Sequence, residues 1–316
     1  MFDGAGRDRV VDPDDLEAHD LPSDCLLWID VDLAGDTGRV EQTLERAGLA
    51  SSAIAQVLRP GGRARVEDVG PHLHVEVMAV SAAPTTGGTS VMCVVGENLV
   101  VTAHRGPVEF LDDFRRSSAG GSELGALDAP SFLATLLIWQ VGGFRAAVED
   151  IVAAIDALED DLLAGERPDE TRLEQLVALR RRISHMRTLV APHREAFERL
   201  AEPELDLVSS SASAAAFRSL ASQVSGVVEA IENAREMLIG SFDILMARTG
   251  QRTNDVMKVL AVVSVTLLPS TLIAGLLGMN FHPSFFARAG MFWLVLGIVG
   301  LLISAALVSA RRLRWF

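Results

Sequence analysis

The chain has 316 residues, a formal net charge of −14, 49% apolar residues and two cysteines, Cys25 and Cys93. So acidic a chain excludes nucleic acid as a partner, because neutralising phosphates takes clustered Lys and Arg. Two distant cysteines without zinc spacing exclude a disulfide framework and indicate a reducing compartment for the soluble part.

The start of the chain has no basic stretch followed by an apolar run, so no cleavable signal is expected and the soluble part is expected in the cytosol. Residues 25–33 (CLLWIDVDL) alternate like a half-buried strand, and residues 40–47 read as a short helix stopped by Gly48. Residues 65–69, 72–80, 90–95 and 99–103 read as further strands separated by Gly and Pro turn signals, the last two as a hairpin. Residues 107–116 return to helix with Pro107 in the first turn. From Ser131 the period becomes 3.6. It predicts helices over 132–163 and 170–191, the second ended by Pro192, with a short continuation over 193–200. The Ser/Ala-rich stretch 209–216 reads as a linker or a helix start.

Leu220, Val224, Val227, Ile231, Ala234, Leu238, Ser241 and Leu245 then alternate steps of four and three, which is a heptad seam. The seam is expected to pair with other copies of the chain. The competing arrangement is a bundle with the two preceding helices. Residues 259–277 and 289–310 carry no charge, and each is about 20 residues, enough as a helix to cross a bilayer core of ~30 Å. Arg248, Arg252 and Lys258 precede the first span, Arg288 alone lies between them, and Arg311, Arg312 and Arg314 follow the second. The positive-inside rule therefore places both termini in the cytoplasm and the loop outside.

Stepping from Asn254 by threes and fours gives Met257, Ala261, Ser264, Leu268, Thr271 and Gly275, leading to Gly278, Met279 and Asn280. A ring of such helices makes a pore of polar rings and apolar constrictions, while plain packing of small residues gives the same pattern. Glu149, Asp150, Asp156, Glu159, Asp160 and Asp161 form the densest acidic run, either a regulatory cation site between subunits or a solvated helix face. His72 and His74 share one face of a strand, and His282 lies near Asn280 where it can touch a transported metal. Nucleophile elbow, Walker loop, zinc-protease and dinucleotide motifs are missing, which argues against an enzyme.

The segment Gln251–Leu260 (QRTNDVMKVL), residues 268–281 (LPSTLIAGLLGMNF) and the tail Arg314-Trp315-Phe316 together resemble the CorA-type magnesium/cobalt transporter family. The resemblance implies a funnel-shaped homopentamer with an α/β cytoplasmic domain, a long stalk helix and two C-terminal transmembrane helices in the plasma membrane. It implies pore-lining roles for Asn254, Met257, Leu260, Leu268 and Thr271, with Ser264 and Gly275 on the same stripe, and a selectivity filter at Gly278, Met279 and Asn280. It sets Asp243 near the cytoplasmic entrance of the stalk. The expected parts are a mixed α/β domain (1–125), a helical region (126–208), the stalk (209–258), the first span (259–277), the external loop (278–288), the second span (289–310) and a basic tail (311–316). Mg²⁺ is expected as substrate and regulator rather than as a cofactor, with Co²⁺ or Ni²⁺ as further substrates and lipid as surroundings. The loop from Phe281 to Arg288 carries no acid, and Ser219 stands where well-known members carry a sensing Asp. A zinc transporter of the ZntB branch and a membrane-anchored cation sensor that does not conduct are the alternatives.

Overall fold

The computed structural model describes residues 1–3, 9–12, 25–59, 61–80, 88–118, 123–164, 170–202, 211–278 and 290–312. Six strands form one mixed sheet: β1 (Phe2–Asp3), β2 (Cys25–Asp32), β3 (Arg65–Val69), β4 (His72–Ala79), β5 (Thr89–Val95) and β6 (Leu99–His104). Their order is β1-β2-β6-β5-β4-β3. Among the described residues, only β2 and β6 run parallel. β4 and β6 are buried along their whole length, although β4 carries His72, His74 and Glu76.

One face of the sheet (Leu27, Val31, Met92, Val94, Val101) packs on α1 (Thr37–Arg46) and α2 (Ser51–Val57) through Leu44, Ile54 and Val57. Asp36 caps α1 by accepting from the Gly38 amide at 3.0 Å. Gly48 stops this turn as expected, with φ of 86° in the left-handed region. The helix α2 was not anticipated: seven residues without a side-chain cap give too short a period to detect. The other face meets α3 (Glu109–Ser118) and α4 (Ala129–Ala164) around Phe2, Trp28, Phe114 and Phe132, whose rings lie 5.4–6.4 Å apart. Pro107 lies two residues before α3 rather than in its first turn.

On this second face, Asp30 sits at the carboxyl end of β2. It accepts from Thr102 Oγ1 at 2.5 Å and from Arg115 of α3, and His104 Nε2 lies 3.3 Å away. Burial works to raise the Asp30 carboxyl, but these hydrogen bonds and the charges of His104 and Arg115 outweigh it and hold it below the usual range. Burial would lower His104, yet its bond to Asp30 and its Nδ1–H donated to the Gly106 carbonyl at 2.6 Å raise it.

The expected stop at Pro192 does not occur. The helix α5 runs from Glu170 to Leu200 with Pro192 inside it. Pro192 cannot donate to the Thr188 carbonyl, a loss that normally kinks or breaks a helix. Here the next residue anchors the turn. The buried His193 ring donates from Nδ1 to the Leu189 carbonyl at 3.0 Å and accepts at Nε2 from the Met78 amide of β4 at 2.9 Å. Gln140 of α4 donates to the Met78 carbonyl at 2.8 Å. β3 ends its pairing at Arg65, opposite Glu76, so these two side chains serve the backbone groups that β3 does not reach.

The last helices are α6 (Ser211–Gly278) and α7 (Gly290–Arg312). All eight seam residues of α6 are buried within the single chain. Ser241 donates to Glu159 of α4 at 2.6 Å, and Glu232 pairs with Arg187 of α5 at 3.0 Å. From Leu220 to Ser241 the seam is therefore met by the bundle within the chain. The expectation that it requires other copies is corrected, because its apolar residues are already out of water. By contacts the chain divides into two compact units, one formed by Met1–Ala164 and Asp169–Ser241, the other by Phe242–Phe316.

Candidate ion-conduction helix

At 1.5 Å per residue, the 68 residues of α6 measure about 100 Å. Two helices among the described residues are long and apolar enough to cross a membrane, α4 and α6. They differ in burial. Half of the most apolar stretch of α4 is buried, as in a core helix, whereas none of that of α6 is. The helix α7 has 23 residues, with charge only at Arg311 and Arg312 at its end. Its described apolar part, Trp293–Ala305, is shorter than those two, while the whole helix rises ~35 Å, at least the thickness of a bilayer core.

The apolar end of α6 carries the stripe singled out in the sequence. At 100° per residue, Asn254, Met257, Leu260, Ser264, Leu268, Thr271 and Gly275 fall within an arc of about 120°. All are exposed except Ser264, which is half-buried. Exposure does not separate this stripe from the other faces, since Leu268 is 67% exposed and Leu272 65%. Hydroxyl chemistry does add something. Ser264 donates to the Leu260 carbonyl at 2.8 Å, and Thr271 to the Leu267 carbonyl at 2.9 Å. With their protons turned into the helix, both oxygens keep acceptor lone pairs, the polarity that receives the water hydrogens of a hydrated cation. Half-buried Val262, Thr266, Pro269, Ser270 and Ile273 lie on a different side of the helix. Pro269 leaves the Val265 carbonyl without its usual helical donor.

Asp243 is exposed on the same helix. Gly278 is its last residue, while Met279, Asn280 and His282 lie outside the described residues. Five members of the acidic run on α4, namely Glu149, Asp150, Asp156, Asp160 and Asp161, are exposed, and Glu159 is half-buried. Two of the six already have partners within the chain, Glu159 with Ser241 and Asp161 with Arg172 at 2.8 Å. Among the described residues, no three His, Cys, Asp or Glu side chains are gathered as around a metal ion. His72 and His74 are buried on β4. The His193 junction and the Asp30–His104–Arg115 group escaped the sequence reading. Their partners are up to 115 residues apart, and only Pro192 within a helical period hinted at the first.

Residues 23–312 match the CorA-like Mg²⁺ transporter protein family. The chain belongs to that family. Its members are ion transporters rather than enzymes. Over its full length the chain is 26% identical to the divalent cation transporter CmaX of Pseudomonas aeruginosa, covering 95% of that protein. It is 27% identical over 189 residues to the cobalt/magnesium transport protein CorA of Thermotoga maritima, a match over 59% of this chain that spans about half, 53%, of that relative. Its fold is shared with the complete structure of the CorA magnesium transporter from Methanocaldococcus jannaschii. There the TM-score is 0.77 at 20% identity, over 92% of both chains. For this CorA-family chain, the fold match thus takes in both the sheet and the C-terminal helices.

Proposed function

We propose that this chain carries divalent cations across the plasma membrane, passively and driven by the membrane potential, through a pore built by five copies. Mg²⁺ is the favoured cargo and Co²⁺ or Ni²⁺ further ones. The observation that carries the reading is α6. It is one unbroken helix whose charge-free end bears a stripe of hydroxyl and apolar residues leading to Gly278-Met279-Asn280. Five such helices around an axis place Asn254, Ser264 and Thr271 as polar rings, with Met257, Leu260 and Leu268 as constrictions that close by dewetting. Five Asn280 amides at the mouth bind the waters of a hydrated ion, which suits Mg²⁺ because it dehydrates reluctantly. Asp243 attracts cations at the stalk entrance, and Gly275 leaves width above Thr271.

Cytosolic cations regulate the assembly by neutralising carboxylates that face one another between copies. Glu149, Asp150, Asp156 and Asp160 remain exposed for that role. Both termini lie in the cytoplasm. An inside-negative potential of 100 mV then gives a divalent ion ~4.6 kcal/mol of inward drive. A zinc carrier of the same architecture is the second reading. It is favoured by the loop after Asn280, which holds His282 and Arg288 and no acid to concentrate Mg²⁺.

The test is flux into liposomes containing the purified protein, loaded first with a Mg²⁺ dye and then with a Zn²⁺ dye. Mg²⁺ entry that Asn280→Ala abolishes is expected. Zn²⁺ entry that depends on a proton gradient supports the second reading. No flux of any divalent ion makes the chain a sensor or scaffold and overturns the proposal.

A further inference from the structure

The strand β4 carries a polar row on one face, His72, His74 and Glu76, because residues two apart in a strand point the same way. Glu76 is fully provided for. It accepts from the Gly62 amide at 2.6 Å, from Ser90 Oγ at 2.6 Å and from Arg65 Nε at 2.9 Å. The histidines are not. His74 is 2% exposed, and both of its ring nitrogens are buried without a hydrogen-bond partner among the described residues. His72 is 9% exposed, with its Nδ1 in the same condition. A buried polar atom left unpaired costs roughly 1–3 kcal/mol, and native structures rarely leave one so. One ion can take one nitrogen from each ring, since residues two apart on a strand offer their side chains on the same face.

The chemistry of that occupant follows from the donors. Burial lowers the pKa of both imidazoles below the ordinary value, so each keeps a lone pair at neutral pH. Neutral imidazoles bind Zn²⁺, Co²⁺ and Ni²⁺, whereas Mg²⁺ takes oxygen ligands. Glu67 stands directly across from His74 on β3, its Oε1 2.7 Å from Arg65 Nη1. The side chains of Arg65 and Glu67 are 41% and 40% exposed, so the pair lies one strand in from solvent and an ion has a short way in.

We propose that His72 and His74 form a binding site for a borderline transition-metal cation, Zn²⁺, Co²⁺ or Ni²⁺, completed by water and by the Glu67 carboxylate turning from Arg65. The site lies in the sheet unit and shares no residue with the stripe of α6. Its use, reporting transition cations to a transporter, rests on the function proposed above; the binding itself does not.

The experiment is equilibrium dialysis of the full-length protein in detergent against Zn²⁺, with excess Mg²⁺ to occupy the oxygen sites. Wild type is expected to retain a Zn²⁺ that both His74→Gln and His72→Gln lose, with affinity for it weakened about tenfold or more. Circular dichroism confirms that each variant is folded, and the shallower His72 position supplies the answer if His74→Gln does not fold. Zn²⁺ retention equal in wild type and folded variants, or none in wild type, overturns the site. No flux is measured. Transport without Zn²⁺ binding therefore refutes this site alone, and Zn²⁺ binding without transport refutes only the transporter reading.

Discussion

His193 predicts an acid-sensitive joint between the sheet and α5. Its two ring nitrogens have opposite roles, Nδ1–H donating to Leu189 and bare Nε2 accepting from Met78. The ring lies between Phe144 and Phe197, with centroids 5.0 Å and 5.8 Å away. Burial pushes its pKa down to about 4 against an ordinary 6.5. A proton on Nε2 would set two N–H donors against each other. The group's folded pKa lies below its unfolded one, so the unfolded chain binds more protons between these values. Stability is then full above pH 6.5 and falls as the pH drops towards 4. Linkage at 1.36 kcal/mol per unit gives a loss of about 2 kcal/mol between pH 7 and pH 5. For a 316-residue chain that is roughly 3 °C in Tm. The assay is thermal unfolding of the detergent-solubilised protein by circular dichroism at both pH values, for wild type and His193→Gln. Gln does not titrate, so the variant should begin about 1–3 kcal/mol less stable at pH 7 and lose less on acidification. The contributions of His72 and His74 act in the same direction in both proteins and cancel in the comparison. Equal losses in the two proteins would refute the reasoning.

His104 has the opposite sign. Its folded pKa is raised by Asp30, so its contribution is full below pH 6.5 and fades as the pH rises through the folded value. Asp30→Asn should flatten the decline of Tm between pH 6.5 and 8.5; an unchanged decline would assign it to other groups. Ser241→Ala removes the hydroxyl that binds Glu159, and it should cost about 1 kcal/mol because the half-buried carboxylate can turn towards water. A midpoint unchanged in denaturant titration would show that the contact contributes nothing. Leu268→Ser places a hydroxyl at an apolar constriction, and dye-loaded liposomes should show basal Mg²⁺ entry raised severalfold. Unaltered entry would remove Leu268 from the gate.

Much of the fold was legible where one period ran long enough. β2 to β6 and α4 to α6 follow directly from alternation and from the 3.6 and 3.5 repeats. What escaped was short or distant. β1 has two residues and α2 seven, too few for any period to show. The parallel pairing of β2 with β6 joins segments more than 70 residues apart and leaves no local mark. Pro192 misled because a helix interior normally rejects proline, and the compensating His193 contact reaches a strand far back in the chain. The seam on α6 was visible, but its partner was not. A stripe of Leu, Val and Ile specifies burial, not whose surface supplies it. Ser241 was the clue, since a polar residue inside such a seam wants a polar partner, and that partner is Glu159 on α4. For the candidate pore, helical spacing placed Asn254 to Gly275 on one stripe, whereas Met279 and Asn280 rest on sequence alone.

Electrogenic entry of Mg²⁺ is the central claim. Uptake into liposomes carrying the protein should be measured while K⁺ and valinomycin set the potential. The account predicts a rate that rises with each inside-negative step, since two charges cross at ~2.3 kcal/mol per charge per 100 mV, and that disappears in Asn280→Ala. Uptake independent of potential, or undiminished in the variant, would contradict it.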